Sequence, residues 1–435
     1  MSEQQFAQVL KVNALGPYLT PANPTLVKER AFKEYNFGSQ SYSPGETMEI
    51  RLNTGSDAIN GKACYVKLRV DPSIDLSFGV CGTAYLLVKS VRLSHRNGSV
   101  LEYSNNAGVL GNVRVHREMS AEDFQKFAPA MGYSKPSALP TPIAAITIPN
   151  GAGAVALTNY VLPLRYILGF FDTDMMIPSG ALAGATLQIT LESGAVSVMS
   201  PAGTADATWS ITACSLVTDS LSLYDSALKA NLMQQASASA SGLQFPFRSF
   251  FNTRLVKTDT NLDVQINKAT ALCNKVFGVS RLTAAIASNT DVDASICPYH
   301  VSAFRSRLGS RYNPWQLTSS AAEEFWITAA AWGGQPEQSR GSRARGVVEF
   351  SRENDGFRIN ATGAATEHGW RGSVNVSDFA VNWQSSPALA NSGLVTNGAN
   401  LIQFEATCTA STTVDVWIEY MKLANFIGDS VVMDS

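Results

Sequence analysis

The side chains able to do chemistry are few and far apart. Four histidines, His95, His116, His300 and His368, stand at no spacing that would bring two of them onto one metal ion. Six cysteines, Cys64, Cys81, Cys214, Cys273, Cys297 and Cys408, form no Cys-x-x-Cys pair, and most lie in apolar, strand-like surroundings. Reduced thiols in such settings behave as small apolar side chains. Asp172-Thr-Asp174 has the outline of an aspartic-protease triplet, but Asp stands where Gly is required and no second copy occurs. A turn held by Asx side chains accounts for it. Gly108-Val-Leu-Gly111 and Gly151-Ala-Gly153 read as isolated loop glycines, and no P-loop or Gly-x-Ser-x-Gly occurs. Arg340, Arg343 and Arg345 sit in a Gly/Ser-rich stretch and read as a solvated basic loop. The expectation is of no catalytic residue, no cofactor, no metal and no enzyme.

Charge points the same way. Lys and Arg number 33 against 35 Asp and Glu, a net charge of -2, so nothing draws the chain globally toward nucleic acid or an anionic membrane. In the first 40 residues Lys11, Lys28, Arg30 and Lys33 stand against Glu3, Glu29 and Glu34, about +1, far short of an arm that neutralises a packaged polynucleotide. Specific nucleic-acid binding is not expected. The start of the chain lacks the layout of a signal peptide and no run approaches the roughly 18 apolar residues of a membrane span, so a reducing, aqueous setting is expected. With 45% apolar and only 16% charged residues, the surface is sparing in charge, as suits a protein covered by partners.

The elements around these residues read as β structure twice over. A chain of 435 residues suits two cores of roughly 180 to 200 residues each. Met48, Ile50 and Leu52, then Cys64, Val66, Leu68 and Val70, alternate with polar neighbours, and Tyr85 to Leu93 is a more apolar strand. From Arg96 to Thr158 glycines, prolines and Asn-Gly break every run, which predicts a long excursion with one helix at Ser120 to Phe127. Strands resume at Tyr160, Leu187 and Trp209. In the middle, Asp225 to Lys257 reads as a linker with a short helix, followed by the aromatic run Leu243 to Phe251, which Pro246 marks as an extended segment at a domain junction. Leu262, Val264 and Ile266 and the run Ala269 to Leu282 open a second unit. Another excursion runs from Ala287 to Tyr312, and Ser320 and Glu323 then cap a helix through Ala329. The chain ends strand after strand: Phe357 to Ala361, Val374 and Val376, Phe379 to Trp383, Ile402 to Cys408 and Val414 to Tyr420. In the last two of these the residues between the apolar ones are polar, so one face is solvated or lines an interface. The fold class is therefore all-β, two tandem jelly-roll β-sandwiches with long loops and a few short helices. The expected organisation is an extended N-terminal arm over 1–40, a first roll over 41–224, a linker over 225–257 and a second roll over 258–435.

The span from about Tyr35 to Phe426 resembles the double jelly-roll major capsid proteins of icosahedral viruses. Three passages carry the resemblance: Leu164-Arg-Tyr-Ile-Leu-Gly-Phe-Phe171 with Ile177-Pro178; Phe304-Arg305 with Gly309-Ser310 and Asn313-Pro314 ahead of the capped helix; and Ile402 to Met421 as a closing hairpin. The resemblance implies a homotrimer whose six rolls make a pseudo-hexameric tile of a virion capsid. It also implies trimer-trimer contacts, penton and minor capsid proteins as further partners, and leaves an internal membrane open. The N-terminal arm is expected to tie neighbours together. The alternatives are a jelly-roll glycan- or receptor-binding module, and an assembly scaffold of the same fold that leaves before the virion is complete.

Overall fold

The computed structural model describes residues 27–53, 58–73, 76–78, 82–119, 127–132, 147–148, 159–173, 175–193, 209–223, 243–257, 260–282, 301–317, 375–378, 394–396, 402–408, 412–427 and 430–434. In the first half these form strands β1 (Val27–Asn36), β2 (Thr47–Arg51), β3 (Ala58–Pro72), β4 (Leu76–Ser77), β5 (Val88–Ser94) and β6 (Val100–Asn105), and then helix α1 (Ala107–Glu118). Strands β7 (Thr147–Ile148), β8 (Asn159–Pro163) and β9 (Ile177–Pro178), the short helix α2 (Ser179–Leu182), and strands β10 (Thr186–Leu191) and β11 (Trp209–Leu223) follow. The second half comprises β12 (Leu243–Lys257), β13 (Asn261–Ile266), β14 (Thr270–Leu282), β15 (Val301–Leu308), β16 (Arg311–Asn313), β17 (Asn375–Asp378), β18 (Leu394–Thr396), β19 (Ile402–Cys408), β20 (Thr412–Ile427) and β21 (Ser430–Asp434).

The strands pair in one order, twice. In the first half β1-β11-β3-β8 and β2-β10-β5-β6 form two antiparallel sheets, with β9 on β3 and a small β4-β7 ribbon beside them. In the second, β12-β20-β14-β17 and β13-β19-β15-β16 do the same, with β18 on β14 and β21 on β20. Leaving aside the short β4, β7, β9 and β18 and the terminal β21, each half has eight strands among the described residues, paired as first-eighth-third-sixth and second-seventh-fourth-fifth. This is the jelly-roll order.

Alternation puts the apolar residues between the sheets. Met48 and Ile50 of β2, Cys64, Val66, Leu68 and Val70 of β3, Val91 and Leu93 of β5, and Leu187 and Ile189 of β10 are buried in one core. Leu262, Val264, Ile266, Phe304, Phe404, Val414, Val416 and Ile418 make the other. There the Phe304 and Phe404 rings stack at 6.4 Å, and Gly278 of β14 leaves the room they need.

Several expectations give way here. Of the extended arm expected over 1–40, residues 27–40 belong to the first roll: β1 pairs with β11 from Val27 to Asn36, and Phe37 is buried. The strand shows no hydrophobic alternation because Arg30, Phe32 and Glu34 alternate with half-buried Ala31, Lys33 and Tyr35. Backbone pairing holds it, with ion pairs from Arg30 to Asp219 at 2.7 Å and Lys67 to Glu34 at 3.1 Å. Likewise residues 243–257 of the expected linker are a strand, paired with β20 along its whole length from Leu243 to Lys257. Pro246 is tolerated because β12 lies at the sheet edge. The excursion from Arg96 holds β6 and α1, and that from Ala287 holds β15 and β16, joined at Gly309, whose φ of 62° supplies the tight turn. Outside the described residues lie 1–26, the helix expected in 225–242, most of that expected at 120–127, the capped helix at 320–329, and the strands expected at 357–361 and 379–383.

A methyl group at Gly278 would stand 2.4 Å from the Phe404 ring. Gly278→Ala is therefore expected to destabilise the protein by about 1–3 kcal/mol through overpacking. Urea unfolding checks this, and an unchanged midpoint would show that the ring can give way.

Candidate functional site

Among the described residues, the candidates named from the sequence lie apart from one another. Among the described residues no group of three or more His, Cys, Asp or Glu side chains is placed to hold a metal ion, and no helix is long and apolar enough to cross a membrane. His95 is buried, its Nδ1 3.0 Å from Asn97 Oδ1 and its ring against Phe426. His116 lies within α1. Cys64, Cys214, Cys273 and Cys408 are buried free thiols, and burial pushes Cys64 up to about 12 and Cys214 to about 11. His300, His368, Cys81, Cys297, Gly151, Gly153, Arg340, Arg343 and Arg345 lie outside the described residues. Asp172 is committed to an ion pair rather than a turn, and the local turn is made instead by Thr173, whose Oγ1 accepts the Met175 N–H at 3.1 Å.

What the structure brings together is a seam between the two sandwiches. Its centre is α1, which leaves β6 through Asn106, a left-handed residue with φ of 50°. Gly108 and Gly111, read from the sequence as loop glycines, sit inside this helix because it presses on a neighbour. A Cβ at Gly108 would meet the Tyr85 and Val88 carbonyl oxygens at 2.4 Å, and one at Gly111 the Tyr85 ring at 2.7 Å. With one side against the first sandwich, α1 turns Val109, Leu110 and Val113 onto Phe250, Phe277, Val279 and Trp417 of the second. Phe277 and Trp417 stack at 5.6 Å beneath it. Beside the helix, Phe170 packs on Phe245 and Phe247 of β12 at 4.9 and 5.2 Å. The sheet containing β12, β20 and β14 is thus covered on both faces.

Buried charges line this apolar contact. The fully buried Arg114 of α1 donates to Glu118 Oε1 and Oε2 at 2.8 and 2.7 Å, to Asp172 Oδ2 at 2.6 Å and to the Arg165 carbonyl at 2.6 Å. Its guanidinium lies 4.5 Å from the centre of the Phe250 ring. Burial opposes the charge on Arg114, but Glu118 and Asp172 outweigh it and hold its pKa above the ordinary value. Burial likewise opposes ionisation of Asp172, and Arg114 draws its pKa below the ordinary value. On β20, the buried Asp415 accepts from Arg254 Nε at 2.7 Å and from Asn106 Nδ2 at 3.1 Å, and Glu419 faces Arg248 at 3.6 Å.

Glu102 of β6 ties three segments together. Its oxygens accept the N–H groups of Gly169 and Phe170 at 3.0 and 2.8 Å and the Ser249 hydroxyl of β12 at 3.2 Å. Lys422 of β20 donates to the adjacent Leu101 carbonyl at 2.7 Å. Gly169 is required because a Cβ there would overlap the Arg248 carbonyl oxygen at 1.7 Å. Burial pushes the Glu102 carboxyl up to about 7, against the pull of the Phe170 and Gly169 N–H groups, the Lys422 charge and the Ser249 hydroxyl. Of these charged residues the sequence singled out only Asp172, and there as part of a turn. The available signal was the polar positions of the final strand, read as solvated or as lining an interface: Asp415 and Glu419, with Trp417 between them, line the seam.

Two predictions follow from this chemistry. Arg114→Met leaves Asp172 and Glu118 with no cation between them and is expected to cost about 3–5 kcal/mol. Adding Asp172→Asn should recover part of that loss in a double-mutant cycle, and additive effects would show that the pair is not coupled. Glu102 has a folded pKa raised from 4.5 to about 7, so the folded state holds this proton more tightly and the associated stability is lost as pH rises through that window. Relative to Glu102→Gln, the wild-type chain should therefore weaken by up to about 3 kcal/mol between pH 4.5 and 7, whatever constant offset the amide introduces. A pH-independent gap in urea unfolding would contradict it.

The chain matches no family model and no curated protein by sequence. It is similar in structure to a chain of the PBCV-1 virus capsid, with a TM-score of 0.57 at 12% identity over 96% of this chain and 99% of that one. The Faustovirus major capsid protein gives 0.57 at 8% identity over 92% and 91% of the two chains. A chain of the Sputnik virophage particle gives 0.56 at 10% identity over 96% and 92%. With the strand order repeated in both halves and these likenesses running over nine-tenths of each chain, the protein has the double jelly-roll fold found in the major capsid proteins of icosahedral viruses.

Proposed function

We propose that this protein is the major structural subunit of an icosahedral virus shell, acting by self-association rather than catalysis. Its two rolls, residues 27–223 and 243–434, act as one rigid tile, and three chains form a pseudo-hexameric trimer that packs with its neighbours into the virion capsid. The observation that carries this reading is the seam. A protein that only displayed a binding loop would have no need to lock two sandwiches of identical strand order together through hydrogen bonds to buried carboxyl groups, whereas a tile must keep their relative orientation under load. Likeness to capsid chains over nearly the whole length supports the same reading. Trimerisation would bury on the order of 2,000–5,000 Å2 or more, as obligate assemblies do, and trimer-trimer contacts would be smaller and individually weak. Penton and minor capsid proteins would be the further partners.

Light scattering and negative-stain electron microscopy of the purified full chain test this. The expected result is particles of threefold, roughly hexagonal outline at about three times 46.6 kDa, or closed shells. A chain that stays monomeric at all concentrations would overturn the proposal.

A further inference from the structure

The strand order repeats, and a side-chain motif repeats on it. On β12, Arg248 and Phe250 stand two residues apart, Phe250 lies opposite Glu419 of β20, and Arg248 reaches that carboxylate at 3.6 Å. On β1, the equivalent first strand, Arg30 and Phe32 stand two residues apart, Phe32 lies opposite Asp219 of β11, and Arg30 reaches that carboxylate at 2.7 Å. The next positions inward correspond as well: Trp417 is paired with Phe277 across β20 and β14, and Val217 with Tyr65 across β11 and β3.

The two copies of this surface have opposite fates within one chain. Phe250 is 3% exposed, roofed by α1 with Arg114 over its ring, whereas Phe32 is 60% exposed. The element that roofs the second sandwich follows the fifth strand of the first, since α1 begins two residues past β6. Two residues past β16, the fifth strand of the second sandwich, stands Trp315, which is 73% exposed, with Leu317 41% exposed beside it. Trp315 meets the Tyr312 ring edge-on at 6.2 Å. Among the described residues, each chain therefore carries one such surface filled and a second on which Phe32 stands exposed while Val217 and Asp219 beside it are buried, and one covering side seated and another with Trp315 exposed.

We infer that the outer face of β1, β11 and β3 around Arg30, Phe32 and Tyr65 is the contact site for a second copy of this chain, which seats on it the exposed side following its own β16. The two surfaces differ, so the contact is heterologous and propagates head to tail until rotation closes a ring. It continues between chains the interface already made within each chain. An open apolar residue at a sheet edge is otherwise a liability for uncontrolled pairing. This inference rests on the self-assembly reading and adds to it which surfaces meet.

Sedimentation velocity over a concentration series, comparing the full wild-type chain with Phe32→Asp, provides the test. Phe32 is exposed, so the fold should be kept, with a melting temperature within about 2 °C of wild type. The variant is expected to need at least about tenfold higher concentration to assemble, the effect of losing one well-packed interface anchor. In a second arm, Phe32→Cys chains are mixed with Trp315→Cys chains under mild oxidation, and a disulfide-linked pair is expected only in the mixture. This arm holds even if the Asp variant misfolds. Assembly of folded Phe32→Asp at the wild-type concentration would overturn the inference while leaving self-assembly standing. Linking of Phe32→Cys chains to one another would also overturn it, as the mark of a twofold contact. A wild-type chain that never associates would overturn the self-assembly reading, and the inference with it.

Discussion

A charge withdrawn from water costs several kcal/mol unless fixed donors or counter-charges replace the solvent. The seam meets that demand at Asp172, Asp415 and Glu419, and in part at Glu102, where burial still wins over the donors, and it does so largely across the junction or between distant segments. Glu102 belongs to the first sandwich and accepts from Ser249 of the second. Asp415 belongs to the second and accepts from Asn106 of the first. Separating the two would leave each of these groups short of a partner. The polar contacts thus fix orientation, because buried ions tolerate only the geometry that satisfies them, while the aromatic layer supplies the cohesion.

The apolar layer explains why a helix with two glycines persists. Each glycine inside a helix costs about 1 kcal/mol relative to alanine. At Gly108 and Gly111 that cost is offset by close approach to the backbone and ring of Tyr85, which sets the height from which Val109, Leu110 and Val113 reach the second sandwich. The beneficiary is the sheet of β12, β20 and β14. Its outer face, which in an isolated sandwich would be wet, is here dry beneath α1, where Trp417 and Phe277 lie fully buried.

Elements with one buried face were legible in the sequence, and elements buried or braced by another unit were not. Met48, Ile50 and Leu52, or Leu262, Val264 and Ile266, announce strands because water lies on one side and a core on the other. The first strand of each roll escaped for opposite reasons. Around Ala31 and Lys33, β1 has too little apolar contrast, and in β12 the run from Phe245 to Phe251 has too much, with Pro246 arguing against a sheet interior but not against an edge. Helix α1 was hidden because glycine signals loops when nothing tells the reader that another backbone is close. Arg114 and Glu102 carried no local signal at all, since what makes them notable is burial among residues far away in sequence.

That distance has a consequence in time. The apolar side of α1 is complete once Val113 has been made, but the surface it covers includes Trp417, and Asn106 waits for Asp415, 309 positions further on. At about 5–20 residues per second of synthesis, that interval is roughly 15–60 s. The first sandwich can close much earlier, since its last strand ends at Leu223. If it closes then, for the remainder of translation it carries an oily, partly charged flank with no second sandwich to seat it on. At crowded ribosomes, the same flank on a neighbouring nascent chain is the competitor that must be kept away.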